Sequence, residues 1–215
     1  KSMIMLSPLV FSSTIGRNSK EPTSWGKMEA IVHGSLEEVL AFMWQFDSRA
    51  KADGSFLEKT VVEEVNGHNR MVCLCKKSSQ RGLIHRLPKE ILNSMIWKQL
   101  DKDKAVLVAK PALHEARPLS ERSTVRMSRH SAHVVLPSDQ ARVRIEIPHM
   151  SELERLPNGR CRMTYLVEVR GDPKRDSHEV VFRRVMKHLH RTETILQYFQ
   201  QLRSLDVIDA KDGEA

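Results

Sequence analysis

The sequence is poor in aromatic side chains, in cysteines and in uninterrupted apolar runs, and each shortage removes a class of function. Phe, Trp and Tyr make up 5% of the 215 residues. No Lys/Arg block is interleaved with Phe or Tyr in the way that stacks unpaired bases, so nucleic acid is not the expected partner. The three cysteines, Cys73, Cys75 and Cys161, are odd in number and none has C-x-x-C spacing. That argues for a reducing compartment and against a disulfide framework or a zinc site. The apolar opening, residues 3–6 and 9–11, is broken by Ser7 and Pro8. It falls far short of the roughly 20 residues a membrane span requires. Gly54, Gly67, Gly82, Gly159 and Gly171 each stand alone at turns, so no glycine-rich loop is present to cradle a phosphate. H-E-x-x-H is missing, and His188 and His190 point to different faces of a helix. With no nucleophile elbow and no paired inward carboxylates, neither a catalytic residue, a metal nor a cofactor is expected.

What the chain does have is positive charge. Lys and Arg exceed Asp and Glu by 35 − 27 = 8, and the pI is near 9.6. Anionic surfaces are therefore favoured partners, an acidic membrane among them. The length fits a single well-buried domain. The reading is a lead-in or linker over residues 1–23, one domain over 24–205 and an acidic tail over 206–215. The start at Lys1 fits either a monomer or a domain of a longer chain. The expected location is cytoplasmic and peripheral at membranes.

Periodicity supplies the elements. Residues 25–33 alternate, with Met28, Ala30 and Val32 on one side, as a half-buried strand does. Ser35 and Glu38 have capping-box spacing and open a short helix that buries Leu36, Val39, Leu40 and Met43. Strand patterns follow at 57–65 and 70–77 around Asn66-Gly67, at 91–100 and 104–110 around Asp101-Lys102-Asp103, at 124–136 and 141–147, and at 160–170 after Asn158-Gly159. Segment 148–158 reads as an insertion longer than an ordinary turn. A long helix from Asp176 to Arg203 closes the pattern, with Val181, Val185, Leu189, Leu196 and Phe199 on one stripe and Arg183, Lys187, His190, Thr194 and Gln201 opposite. All strand pairings are expected to be antiparallel.

Alternation sorts the sheet into an apolar and a charged face. The inward set is Cys73, Cys75, Met95, Trp97, Val106, Val108, Leu136, Ile145, Tyr165 and Val167, closed by Val181, Val185 and Leu189 on the helix. By pattern alone this set is either a solid core or the wall of a ligand cavity. Tyr165 is its clearest polar member.

Certain residues also carry a resemblance. Trp25-Gly26-Lys27-Met28-Glu29-Ala30 running into Ser35-Leu36-Glu37-Glu38-Val39 resembles the opening of START (StAR-related lipid-transfer) domains. Leu87-Pro88-Lys89-Glu90, the run from Val108 through His114, Thr124-Val125-Arg126-Met127-Ser128, and Met163 through Val169 are similar to later elements of that family, in the same order. The resemblance covers residues 24–203. It implies an α+β helix-grip fold, in which a curved antiparallel sheet of about seven to nine strands wraps around a long C-terminal helix. It further implies one lipid (phospholipid, sterol or fatty-acid-like) held in a tunnel between sheet and helix. The inward set would then bind lipid, His114, Arg117 and Arg126 would border the gate, and contact with an anionic membrane would be transient. Aligned by hairpin position, Cys75 and Met95 stand where some sterol-binding members pair an internal acid with an internal arginine, so that anchor is absent there. The alternatives are a cyclase or hydrolase on the same fold, or a ligand-sensing module of a larger protein.

Overall fold

Alternation of burial along β1, β7 and most of β10, and one apolar stripe along the last helix, organise the computed structural model, which describes residues 22–45, 56–76, 80–81, 84–85, 88–115, 143–171 and 176–212. The elements in chain order are β1 (Thr23–Val32), α1 (Leu36–Trp44), β2 (Phe56–Asn66), β3 (Asn69–Lys76), β4 (Gln80–Arg81), β5 (Ile84–His85), β6 (Lys89–Gln99), β7 (Lys104–Pro111), β8 (Val143–Arg144), β9 (His149–Leu156), β10 (Arg160–Arg170) and α2 (His178–Asp212). Strands of the main sheet pair in the order β1-β10-β9-β7-β6-β3-β2, with β8 beside β6. The described residues fall into two compact units: Lys1–Gln45 with Ile96–Ala109 and Ile147–Ala215, and Phe46–Met95 with Lys110–Glu146.

In the first unit β1 pairs with β10 without a break from Thr23↔Arg170 to Val32↔Cys161. β10 continues onto β9, and β9 onto β7. Met28, Val32, Leu107, Leu153, Met163 and Val167 are buried on the inner face. The α1 cap is built as its spacing predicts: Glu38 N donates to Ser35 Oγ at 3.2 Å, and Ser35 N donates to Glu38 Oε2 at 2.7 Å. Leu36, Val39, Leu40 and Met43 are its buried residues.

α2 packs on β1 and β10. Val181, Val185, Leu189, Leu196 and Phe199 are all buried, while the residues assigned to the opposite face are exposed. A fully buried Val or Leu contributes about 1.5–3 kcal/mol, so this stripe alone is a large part of what holds the helix down. The approach is close enough to require glycine at three places. A methyl added at Gly26 would collide with Val185 Cγ1 and lie 3.0 Å from Leu189 Cδ1. At Gly34 it would meet Phe199 Cδ1 at 2.6 Å, and at Gly171 Val181 Cγ2 at 2.5 Å. Further along, Arg203 Nε donates to the His33 carbonyl at 3.2 Å and Nη2 to the Gly159 carbonyl at 3.4 Å. The helix runs on to Asp212, past its expected end at Arg203.

Several expectations need correction. Residues 149–156, read as part of an insertion, form β9, a full inner strand of the first unit. Its outward side mixes Met150 and Leu156 with Glu152 and Glu154, and its inward side mixes Leu153 with His149, Ser151 and Arg155, so hydrophobic alternation is weak there. β8 is confined to Val143–Arg144 and pairs parallel to β6, against the all-antiparallel expectation. The β2–β3 hairpin forms, but its turn lies one residue later, on Gly67 and His68, because Asn66 pairs with Asn69. Asn66 Oδ1 accepts from His68 N at 2.9 Å and supports that turn through its side chain. Among the described residues, positive φ occurs instead at Asn158 and Gly159, where β9 turns into β10. The expected strand 124–136 lies outside the described residues.

Two outcomes are expected. Gly26→Ala should cost about 1–3 kcal/mol by overpacking. Combined with Val185→Ala, it should cost at least about 1 kcal/mol less than the sum of the two single changes in urea unfolding; simple additivity would show that the helix is not seated on Gly26. Bonds from Ser35 hold the Glu38 carboxyl below its ordinary value of 4.5. The stabilisation is therefore fully present above pH 4.5 and is lost as pH falls through the lower folded value. Glu38→Gln should flatten that part of the acid limb, read by urea midpoints between pH 2 and 6.

Candidate functional site

The first unit offers a wall of four strands, and the register states which side chains share it. Met28, Tyr165, Ser151 and Leu107 form one cross-strand row; Gly26, Val167, His149 and Ala109 form the next. Side chains two residues apart on a strand face the same way, so both rows look inward. The opposite face carries the ions: Lys104 Nζ lies 3.7 Å from Glu154 Oε1 and 4.0 Å from Glu152 Oε1, Arg162 Nη1 lies 2.6 Å from Glu154 Oε2, and Lys27 pairs with Glu29 at 2.5 Å. The division into an apolar and a charged face thus holds in this unit.

Parity corrects two candidate residues. Val106 and Val108 stand opposite Glu152 and Met150 on the charged face, and the buried positions of β7 are Ala105, Leu107 and Ala109. Short alanines on the inner side made the larger valines look inward. Tyr165 and Val167 are buried where alternation places them. The Tyr165 ring lies 5.6 Å from that of His149, whose Nδ1 is 3.2 Å from the Ile147 carbonyl. Val181, Val185 and Leu189 are inward too: Val185 and Leu189 pack on Gly26 of β1, and Val181 on Gly171 just past β10. Trp97 is half-buried on β6. Two polar groups on this wall went unnoticed in the sequence. Ser24 and Ser151 are fully buried, and neither hydroxyl has a hydrogen-bond partner among the described residues. Thr192 of α2 is buried as well, its hydroxyl donating to the Leu189 carbonyl and lying 2.7 Å from Met28 Sδ.

The second unit holds Cys73, Cys75 and Met95, all buried, and Ile145, half-buried just after β8. It also holds a group that alignment by hairpin position missed. Glu90 on β6 is buried and accepts from Arg144 of β8, whose Nε and Nη2 lie 3.0 and 2.6 Å from Oε2. Cys73 Sγ donates to the other oxygen, Oε1, at 3.5 Å, and Ile145 N donates to the Glu90 carbonyl at 2.8 Å. An acid–arginine pair therefore exists, made by Glu90 and Arg144 rather than at Cys75 and Met95. Glu90 belongs to the Leu87-Pro88-Lys89-Glu90 run that carries the family resemblance, which was its one sequence signal. Of the gate residues, His114 lies with Nε2 3.3 Å from Glu63 Oε2. Arg117, Arg126 and the lipid candidate Leu136 lie outside the described residues.

Chemistry elsewhere is quiet. Burial pushes the Cys161 thiol up to about 11, so it stays protonated and weakly nucleophilic at neutral pH. Among the described residues, no group of three or more His, Cys, Asp or Glu is placed to hold a metal ion, and no helix is long and apolar enough to cross a membrane. Removing one member of a buried ion pair leaves the other charge stranded. Glu90→Gln or Arg144→Met should therefore each cost about 3–5 kcal/mol, whereas Glu90→Leu with Arg144→Met should unfold within about 1 kcal/mol of the parent; single variants as stable as the parent would place the pair in water.

No protein-family model matches the sequence, and no curated protein matches it either. Solved structures match in fold. The human StarD13 (DLC2) lipid transfer and protein localization domain superposes with a TM-score of 0.53 at 18% identity, over 80% of this chain and 72% of that one. A STAR-related lipid transfer protein from Xanthomonas axonopodis gives 0.61 at 7% identity, over 90% and 99%. The aromatase/cyclase Zhui from Streptomyces sp. R1128 gives 0.52 at 8%, over 83% and 94%. With a first strand and short helix, a mainly antiparallel sheet and a long closing helix, the chain has the helix-grip fold of START domains.

Proposed function

We propose that this domain binds one lipid or lipid-like hydrophobic molecule and carries it without chemical change. The observation that carries the reading is the START-type fold joined to an inner wall, in the first unit, whose described positions are almost wholly apolar. An acyl chain laid against such a wall gains about 0.8 kcal/mol for each CH₂ removed from water, comparable with what it gives up on leaving a bilayer. Tyr165, Val167 and the flank of α2 around Val185 and Leu189 are the proposed contacts in that unit. The excess of 35 basic over 27 acidic residues would draw the domain to anionic vesicles, by about 1 kcal/mol for each Lys or Arg near the surface. The membrane contact is proposed to be transient, and His114, Arg117 and Arg126 are the proposed border of the entrance.

The second reading is a small-molecule enzyme on the same fold. It is favoured by one observation, the imidazole of His149 packed against the Tyr165 ring, since an acid–base pair facing an apolar wall is what such chemistry needs. Recovery of the ligand separates the two.

Protein taken directly from cells and analysed by native mass spectrometry should carry close to one lipid per chain. Purified protein should extract labelled lipid from phosphatidylcholine vesicles, faster when phosphatidylserine is included and less so at high salt. Lipid returned unchanged after incubation supports carriage; a modified product supports the enzyme. No bound lipid in either experiment would sink the reading.

A further inference from the structure

The sheet of the first unit stops at β1 and leaves a row of backbone groups open there. β1 stands last in the strand order and pairs on one side only, with β10. Opposite residues of an antiparallel ladder alternate between pairs that exchange two hydrogen bonds and pairs that exchange none. Gly171 N donates to the Pro22 carbonyl at 2.8 Å, one step beyond Thr23↔Arg170, and the register then runs without a shift to Val32. The phase is thereby fixed: Ser24, Gly26, Met28, Ala30 and Val32 bond to β10. Trp25, Lys27, Glu29 and Ile31 turn their N–H and C=O groups to the other edge, where no hydrogen bond to a described residue meets them. α2 meets β1 on the inner face, at Gly26, and α1 packs on β9 and β10.

An open edge is a template for another strand, and proteins commonly guard it with charge. The charges on β1 do the reverse. Its outer face runs Trp25, Lys27, Glu29, Ile31, in the order apolar, cation, anion, apolar. Trp25 and Ile31 are exposed, and Lys27 and Glu29, both partly exposed, form an ion pair with each other. Turned end for end about Met28, this order meets its own complement. Lys27 of each copy falls opposite Glu29 of the other, and Trp25 opposite Ile31; on the inner side Met28 meets Met28 and Gly26 meets Ala30. Neighbouring registers lack this match. Centring on Lys27 opposes the two lysines and centring on Glu29 the two glutamates, and like charges directly opposite destabilise a ladder. A register centred between two residues would set outward side chains against inward ones. The chain carries a net charge of +8, which repels a second copy, yet this edge is itself balanced.

We propose that β1 is an interaction surface for a second copy of this chain, pairing antiparallel with its own counterpart in the register centred on Met28. Two domains then share one continuous sheet about a two-fold axis, and the same patch serves on both sides. Trp25 with Ile31 and Lys27 with Glu29 are the pairs that exchange hydrogen bonds, so the open groups of the edge are the ones satisfied. The inference stands apart from the lipid-binding reading, because the outer face and free edge of β1 take no part in the apolar inner wall.

The test is sedimentation velocity of the full chain from micromolar to hundreds of micromolar, at about 0.15 M salt, where only close charges interact strongly. The parent should pass from the 24.7 kDa chain to a species of twice that mass as concentration rises. Lys27→Glu and Glu29→Lys should each weaken association by about tenfold or more, since each opposes like charges at both ion-pair positions. Both changes are on the outer face, so the circular dichroism of each variant should match the parent. An equimolar mixture of the two variants should associate again, because one chain then presents two anions to the other's two cations. Lys27→Glu combined with Glu29→Lys in one chain should dimerise like the parent, as the register centred on Met28 again pairs opposite charges. A parent that stays monomeric throughout, a dimer that survives both single reversals, a mixture that stays monomeric, or a double reversal that fails to restore association would each overturn the inference.

Discussion

Three bare backbone positions decide how α2 sits. Gly26, Gly34 and Gly171 let Val185 with Leu189, Phe199, and Val181 approach closer than any side chain would permit. The apolar stripe provides the free energy, and the glycines provide the distance at which it is collected. Once the helix is down, the row from Met28 through Tyr165 and Ser151 to Leu107 has its place on the inner side of the same unit. The charges of β7, β9 and β10 are then left on the other side, where water solvates them.

Elements with strong local rules were legible in the sequence. The α2 stripe follows a 3.6-residue period over five turns, and all five apolar residues read from it are buried. The α1 cap follows from one serine and one glutamate at the right spacing. Parity failed where side-chain size ran against direction: β7 buries Ala105 and Ala109 and turns Val106 and Val108 outward. β9 was hidden for a related reason. Both of its faces mix apolar with polar residues, Met150 and Leu156 with two glutamates outside and Leu153 with His149 and Ser151 inside, so little apolar alternation remained to read. Turn position was also beyond the dipeptide rule, because the Asn66 side chain stabilises a loop on Gly67 and His68 that the rule does not consider.

Polar groups inside were the least legible part of the candidate site. A glutamate next to a lysine at the start of β6 reads as solvent-facing until Arg144, more than fifty residues on, is known to meet it. Such a pair is a poor source of net stability compared with apolar packing, yet it tolerates few rearrangements, since either charge alone is expensive to bury. It therefore fixes the short parallel pairing of β8 to β6 in its unit. Ser151 and His149 were illegible for a different reason, since they lie on a strand that the sequence had not revealed.

Arg203 and the glycine contacts divide α2 into ends of unequal freedom. Its guanidinium ties the helix to the carbonyls of His33 and Gly159, just beyond the Gly34–Phe199 contact. Toward the other end, Val181 rests on Gly171, and Arg184 reaches back to Asp176 across the first turn. A helix clamped in this way behaves as a lever with its fulcrum near Phe199. A small rotation there would be magnified toward Val181, where the Gly171 contact is the seat and the Arg184–Asp176 pair travels with the helix's own first turns.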